Sequence, residues 1–281
     1  MVLEILQVTF VQRALVAGIA IAVICSAVGI FLVLRRQSLF GDALSHMAFG
    51  GIAAGLIANV YPLWVAFAVS VLGALGVTKL RQSTKIPPDA AVAVLLSSGL
   101  ALGVVLVSLD EGGLSVNLFS FLFGSILLVS NEDIVTILLI TAGVLASIAV
   151  LYRKLLYISF DEEQARVSGL QVSRLSYLFI VIASITVIAS IRLVGILLIS
   201  SLIVIPSISA MMLGKGFKKT MLISISISVF SVVTGIIVSY AINAAPGGTI
   251  VLITIAVFLA ILAWKSVARK ARLQETSLSQ R

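Results

Sequence analysis

Charge is what this sequence has least of. Asp, Glu, Lys and Arg together make up 11% of the 281 residues, where an ordinary soluble domain carries about a quarter. So few charges cannot clothe a water-facing surface, and a chain that is 60% hydrophobic with a mean hydropathy of +1.24 has the lipid bilayer as its main solvent. A single cysteine, Cys25, lies inside an apolar run, which excludes a disulfide framework and any site built on paired thiolates. A single histidine, His46, excludes a two-histidine metalloprotease motif, and no Gly-x-Ser-x-Gly nucleophile turn occurs, so an intramembrane enzyme lacks its constellation. A phosphate-binding loop is missing too. In residues 214–220 Lys218 stands where such a loop needs glycine before its Lys-Thr pair, so energy must come from a gradient or another subunit. The first twelve residues hold Glu4 but no basic residue, unlike a cleavable signal peptide, and the first apolar run is expected to stay as a helix.

The net charge of +8 does not point to nucleic acid, because the nineteen Lys and Arg form no single patch. They cluster at 35–36, 79–85, 153–154, 215–219 and 265–272, each time where an apolar run ends. A bilayer core about 30 Å thick takes about 20 helical residues. That ruler divides the chain into about nine spans, with eight and ten as the neighbouring counts: 11–34, 43–60, 63–80, 90–107, 134–152, 175–190, 193–213, 220–241 and 249–264. With 35–36 in the cytoplasm, alternation places every other basic cluster there as well, as the positive-inside rule requires. Only Arg13 and Arg192 fall near the outer face, where single residues snorkel to headgroups. The stretch 114–129 is apolar but short and holds Asn117 and Gly124; it reads as an interfacial or re-entrant helix that leaves the parity intact. The expected fold is therefore all-α, a polytopic transmembrane bundle. It forms one transmembrane domain over 1–268, with a cytoplasmic loop at 158–171 and a tail at 269–281.

Two residues are expensive in such a bundle. Asp42 and His46 stand four apart, which stacks them on one helical face with Cβ atoms about 5–6 Å apart. Charge in hydrocarbon costs at least about 2.5–3.5 kcal/mol, so an ionisable pair there needs a partner, water or a function. His46 lies about 15 Å along a helix from Arg36, between the cytoplasmic end and the midplane. Three readings stay open: Asp42 caps the helix while His46 makes a structural hydrogen bond, the pair relays protons, or the pair is a way station for a divalent metal. Imidazole with carboxylate suits borderline cations such as Zn²⁺, Mn²⁺ or Fe²⁺, carried as cargo, not as a resident cofactor. Two ligands are too few, and a second copy across a two-fold axis would supply two more.

In the cytoplasmic stretch 158–169, Ser159 before acidic residues reads as a helix start and Gly169 as a stop, giving a short helix of about two turns. Its charges suit a docking surface and equally a solvated loop. Pro206 is expected to break or bend the seventh span near its middle, and residues 245–248 read as a turn signal before the last. Ser224, Ser228 and Ser231 share a face of the eighth span and read as close helix packing.

The run 38–46, Ser-Leu-Phe-Gly-Asp-Ala-Leu-Ser-His, resembles the signature of the permease subunits of zinc, manganese and iron importers of the ATP-binding-cassette type. The resemblance continues through 160–169, through 194–198 to Pro206 and Ala210, and through Pro246 with 248–251, four segments in the same order over most of the chain. Departures fall at Gly50-Gly51, where the family usually has Pro-Gly, and at Asn243, where an acidic residue is common. The resemblance implies a multi-pass protein of a prokaryotic plasma membrane. It further implies a permease that pairs with a second copy of itself, two cytoplasmic ATP-binding subunits and an extracytoplasmic metal-binding protein that delivers the ion. Asp42 and His46 then correspond to metal-coordinating residues of the path. Phe160, Asp161, Glu163, Ala165 and Gly169 fall in the coupling helix that docks on the ATPase, with Pro206 as a helix kink or gate. A secondary, proton-coupled metal transporter is the alternative.

Overall fold

The computed structural model describes residues 9–84, 86–109, 120–124, 130–196 and 198–279. Its helices, in chain order, are α1 (Thr9–Leu34), α2 (Phe40–Ile57), α3 (Pro62–Thr84), α4 (Pro88–Ser108), α5 (Asn131–Phe160), α6 (Glu162–Val167), α7 (Val172–Val194), α8 (Ile199–Met211), α9 (Phe217–Ile242) and α10 (Pro246–Ser279). A further helical turn occupies 120–123, and no strand occurs among the described residues. The chain is an all-helical polytopic bundle.

Eight of these helices are long and apolar enough to cross a membrane. The expected seventh span, 193–213, is the one that changes. Residues 193 and 194 complete α7, Gly195 turns with φ 87, and only the 13 residues of α8 remain. Those 13 residues reach about 20 Å, short of the hydrocarbon thickness. Hydropathy cannot register this break, because the residues on both sides of it are apolar.

The break has a physical cause at the outer end of the bundle. The amide of Ile196 donates to the Phe121 carbonyl at 2.9 Å, so the unwound segment pairs with the turn at 120–123. A side chain at Gly195 would collide with the Leu122 carbonyl, and one at Gly124 with the Leu193 carbonyl. The described part of the expected re-entrant stretch therefore sits at the outer end of α7, and parity is kept; 114–119 and 125–129 lie outside the described residues.

α1 is the central post. Most of its side chains are buried, and α5, α7, α8 and α9 pack around it. At the inner end Phe31 meets Phe179 edge-on at 6.2 Å and Phe217 at 5.3 Å, and Tyr152 meets Phe217 at 5.6 Å. Arg35 donates to Ser176 Oγ at 2.8 Å, and Lys265 Nζ donates to the Met212 carbonyl. These contacts gather Arg35, Tyr152, Ser176, Met212 and Lys265 at one end, beside the basic clusters whose shared side the charge pattern required.

Ser130 starts α5 with a capping box: its Oγ accepts from the Asp133 amide at 3.1 Å, and Asp133 Oδ2 accepts from the Ser130 amide at 3.0 Å. At 30 residues α5 is about 45 Å long, more than a bilayer core, so its last turns carry the next segment clear of the membrane. Asn243 closes α9 with φ 52, the left-handed geometry that asparagine tolerates in a helix cap. At the other end of the chain the helical backbone of α10 continues to Ser279 through the expected tail, while its membrane-length part ends at Val267.

Candidate metal-handling pair and coupling helix

α2 begins at Phe40, and its N-cap, Leu39, makes no side-chain cap bond. Asp42 is thus the third residue inside the helix, and its carboxylate is not the cap that one reading of the sequence allowed. The favourable field of the helix N-terminus still reaches it in this first turn. Ser45 Oγ donates 2.8 Å to the Asp42 backbone carbonyl, and among the described residues the Asp42 carboxylate itself faces only His46. Asp42 Oδ1 stands 3.8 Å from His46 Nε2. That is too long for a hydrogen bond and just under twice a Zn–O or Zn–N bond of about 2.0–2.2 Å, so one cation can bridge the two atoms. Their side chains are 27% and 15% exposed, so the pair lies at the edge of the chain with one side open. Among the described residues no third His, Cys, Asp or Glu joins them.

What holds this pair is backbone packing. A Cβ on Gly99 of α4 would lie 2.5 Å from the Met47 amide nitrogen and 2.6 Å from the His46 carbonyl carbon. Only glycine allows two membrane helices to approach so closely. On the opposite flank a Cβ on Gly51 would lie 2.5 Å from Ala66 Cα of α3, and Ser70 Oγ donates to the Leu44 carbonyl at 3.3 Å. Gly50 and Gly51 leave α2 unbroken, and each faces a neighbouring helix.

Pro206 is buried in the middle of α8, and the helix runs through it. Its missing N–H removes the helical bond to the Leu202 carbonyl. One turn earlier, Ile203 Cδ1 would lie 3.3 Å from a Cβ at Gly41, so the proline-bearing helix touches the first turn of α2 beside Asp42. Sequence reasoning has no signal for that contact, which joins residues far apart in the chain.

The cytoplasmic segment folds as a short helix, with its start corrected. α5 continues through Ser159, whose Oγ donates to the Leu155 carbonyl at 2.7 Å, and ends at Phe160. Asp161 is the cap of α6, its Oδ1 accepting from the Gln164 amide at 2.9 Å. α6 itself has six residues, less than the expected two turns. Gly169 follows with φ 82, a left-handed stop as expected. Ala165 is wholly buried against Ile158 and Val172, anchoring the helix to the ends of α5 and α7. Asp161, Ala165 and Gly169 thus build the segment, while Phe160 (68% exposed) and Glu163 project from it. Val167, 90% exposed, is an apolar surface that sequence reasoning misses: an apolar residue in a charged stretch reads as core until its face is known.

Residues 7–265 match the ABC 3 transport family. The chain is 35% identical over 264 residues to a probable metal transport system membrane protein of Treponema pallidum (strain Nichols), covering 94% of this chain and 98% of that one. It is 34% identical over 273 residues to the manganese import system permease protein ScaB of Streptococcus parasanguinis, covering 97% and 96%. Among solved structures, PsaBC from Streptococcus pneumoniae in complex with Fab superposes with a TM-score of 0.83 at 31% identity, covering 92% of this chain and 94% of that chain.

Proposed function

The chain belongs to the ABC 3 transport family, and from that premise we propose that it is the membrane-spanning permease subunit of an ATP-binding-cassette importer for divalent transition-metal ions. It is a multi-pass membrane protein, and the hydrolysis that drives it belongs to a separate ATPase. The observation that carries the metal reading is the Asp42–His46 pair, 3.8 Å apart on a clamped helix inside the bilayer, with a carboxylate that caps nothing.

The pair opens on the edge of the chain. An ionised carboxylate facing lipid would be costly, so that edge faces a second copy of the permease, whose own Asp42 and His46 complete a four-ligand site. Two hard or borderline ligands per copy suit Zn²⁺, Mn²⁺ or Fe²⁺ and hold the ion without trapping it, because no thiolate takes part. An extracytoplasmic binding protein delivers the ion at the outer end, and α6 receives the stroke of the ATPase at the inner end. α8, which touches Gly41 and carries Pro206 in its middle, would transmit it to the pair.

The experiment is metal uptake by the reconstituted permease and its ATPase, with isotopic Mn²⁺ or Zn²⁺. Asp42→Asn and His46→Ala should each reduce uptake at least tenfold, with insertion and ATPase co-purification unchanged. Normal uptake in both variants would remove the pair from the path. Uptake by the permease alone, in a pH gradient without nucleotide, would instead favour proton-coupled transport.

A further inference from the structure

At the cytoplasmic half of the bundle α5 and α9 each pack on α1 yet hardly touch one another. Between them runs a groove of about 710 Å³, floored by Ala27 of α1 and walled by residues such as Ala149 and Ile225. Its lining is apolar except at one end, where Arg153 and Lys154 from α5 and Lys218 from α9 stand together. The Tyr152–Phe217 ring contact lies at that same end. All three cations are exposed, and among the described residues none is paired with a carboxylate. From Leu145 to Arg153 the wall extends about 12 Å, close to half the hydrocarbon thickness.

We infer that this groove is a binding site for one anionic glycerophospholipid of the cytoplasmic leaflet, its phosphate held by Arg153, Lys154 and Lys218 and one acyl chain lying between α5 and α9. The charge pattern selects this occupant. A neutral lipid would leave three clustered cations without a counter-charge at the membrane surface, and a soluble anion would leave the apolar walls unfilled. Basic pockets between helices at the cytoplasmic surface suit acidic headgroups in this way, and each cation contributes about a fivefold gain in affinity. The lipid would also wedge apart the two helices whose inner ends flank the coupling segment and the α8–α9 loop.

The test is native mass spectrometry of the delipidated permease–ATPase complex titrated with palmitoyl-oleoyl phosphatidylglycerol or with the matching phosphatidylcholine. One retained phosphatidylglycerol per permease chain is expected, with phosphatidylcholine held at least tenfold more weakly. The triple variant R153Q/K154Q/K218Q should abolish that preference. Equal retention of the two lipids, or an unchanged preference in the triple variant, would overturn the assignment. Inorganic phosphate in excess should leave the lipid bound, and its displacement by phosphate would mean that the cations serve a free anion. Ala149→Trp keeps every cation while filling the groove from an exposed wall position. It should lose the same lipid, which keeps the test decisive if the charge variant does not fold; retention of the lipid by this variant would also overturn the site. Ala149→Cys oxidised in the native membrane should give no cross-linked dimer, since the one native cysteine is buried. A dimer linked through position 149 would make the groove an interface between copies and sink the lipid proposal.

Discussion

α2 and α6 are held in opposite ways. α2, which carries Asp42 and His46, has no side-chain cap, and glycine contacts from α3 and α4 clamp it along its length. α6 owes its shape to its own residues: Asp161 caps it, Gly169 stops it and Ala165 pins it to the helices on either side. The difference matches the tasks proposed for them. To bridge one cation, two side chains must hold their separation, 3.8 Å here, to within a few tenths of an ångström, which packed backbones enforce and a lone helix cannot. A docking helix must expose its side chains, so its fold can draw only on local bonds and one buried contact.

The strongest way to break the comparison is to enlarge Gly99. A side chain there meets the backbone of His46 and Met47, which cannot give way as a flexible side chain would. Gly99→Val should cost at least about 1–3 kcal/mol, the usual penalty of overpacking, and should abolish uptake in any protein that still inserts. Gly76, in α3, serves as the control, because a methyl added there would meet nothing within 4 Å: Gly76→Ala should hold or raise the thermal midpoint. Equal midpoints for the two variants in detergent would show that α2 is not clamped.

An intermediate effect is expected at the cap of α6. Asp161→Ala removes the acceptor for the Gln164 amide and should destabilise the helix by about 1 kcal/mol. Hydrogen exchange should quicken across 162–168, while exchange across α2 stays as it was. Faster exchange in both helices would mean that α6 and α2 are not independently held.

These two regions also separate what sequence can carry from what it cannot. Span positions follow from hydropathy and sidedness from the basic clusters, because the bilayer imposes both on every helix regardless of its neighbours. The stacking of Asp42 on His46 follows from helical geometry alone, and the structure brings them together. The role of Gly50, Gly51 and Gly99 does not follow, since a glycine in an apolar run says nothing about which helix it meets. Local sequence starts α6 too early, at Ser159, because both Ser159 and Asp161 are good caps and only the continuation of α5 decides between them. The break at Gly195 is set by a pairing with Phe121, some seventy residues upstream, and is invisible to any local window.

The smallest structural effect, and the sharpest functional one, belongs to Val167. It is 90% exposed, so replacing it with Ser removes an apolar surface that touches little within the chain. Stability should shift by no more than about 0.5 kcal/mol, as for surface changes in general. If α6 docks on the ATPase, burial of this side chain contributes there, and full burial of a Val is worth about 1.5–3 kcal/mol. Val167→Ser should therefore weaken ATPase co-purification by roughly tenfold or more and uncouple hydrolysis from uptake, with the thermal midpoint unchanged. It is a cleaner probe than a bulky residue at Gly169, where φ 82 would strain the loop whether or not anything docks. Unchanged coupling in both Val167→Ser and a Glu163→Lys charge reversal would leave α6 as a solvated turn, and the contrast with α2 would reduce to one of burial.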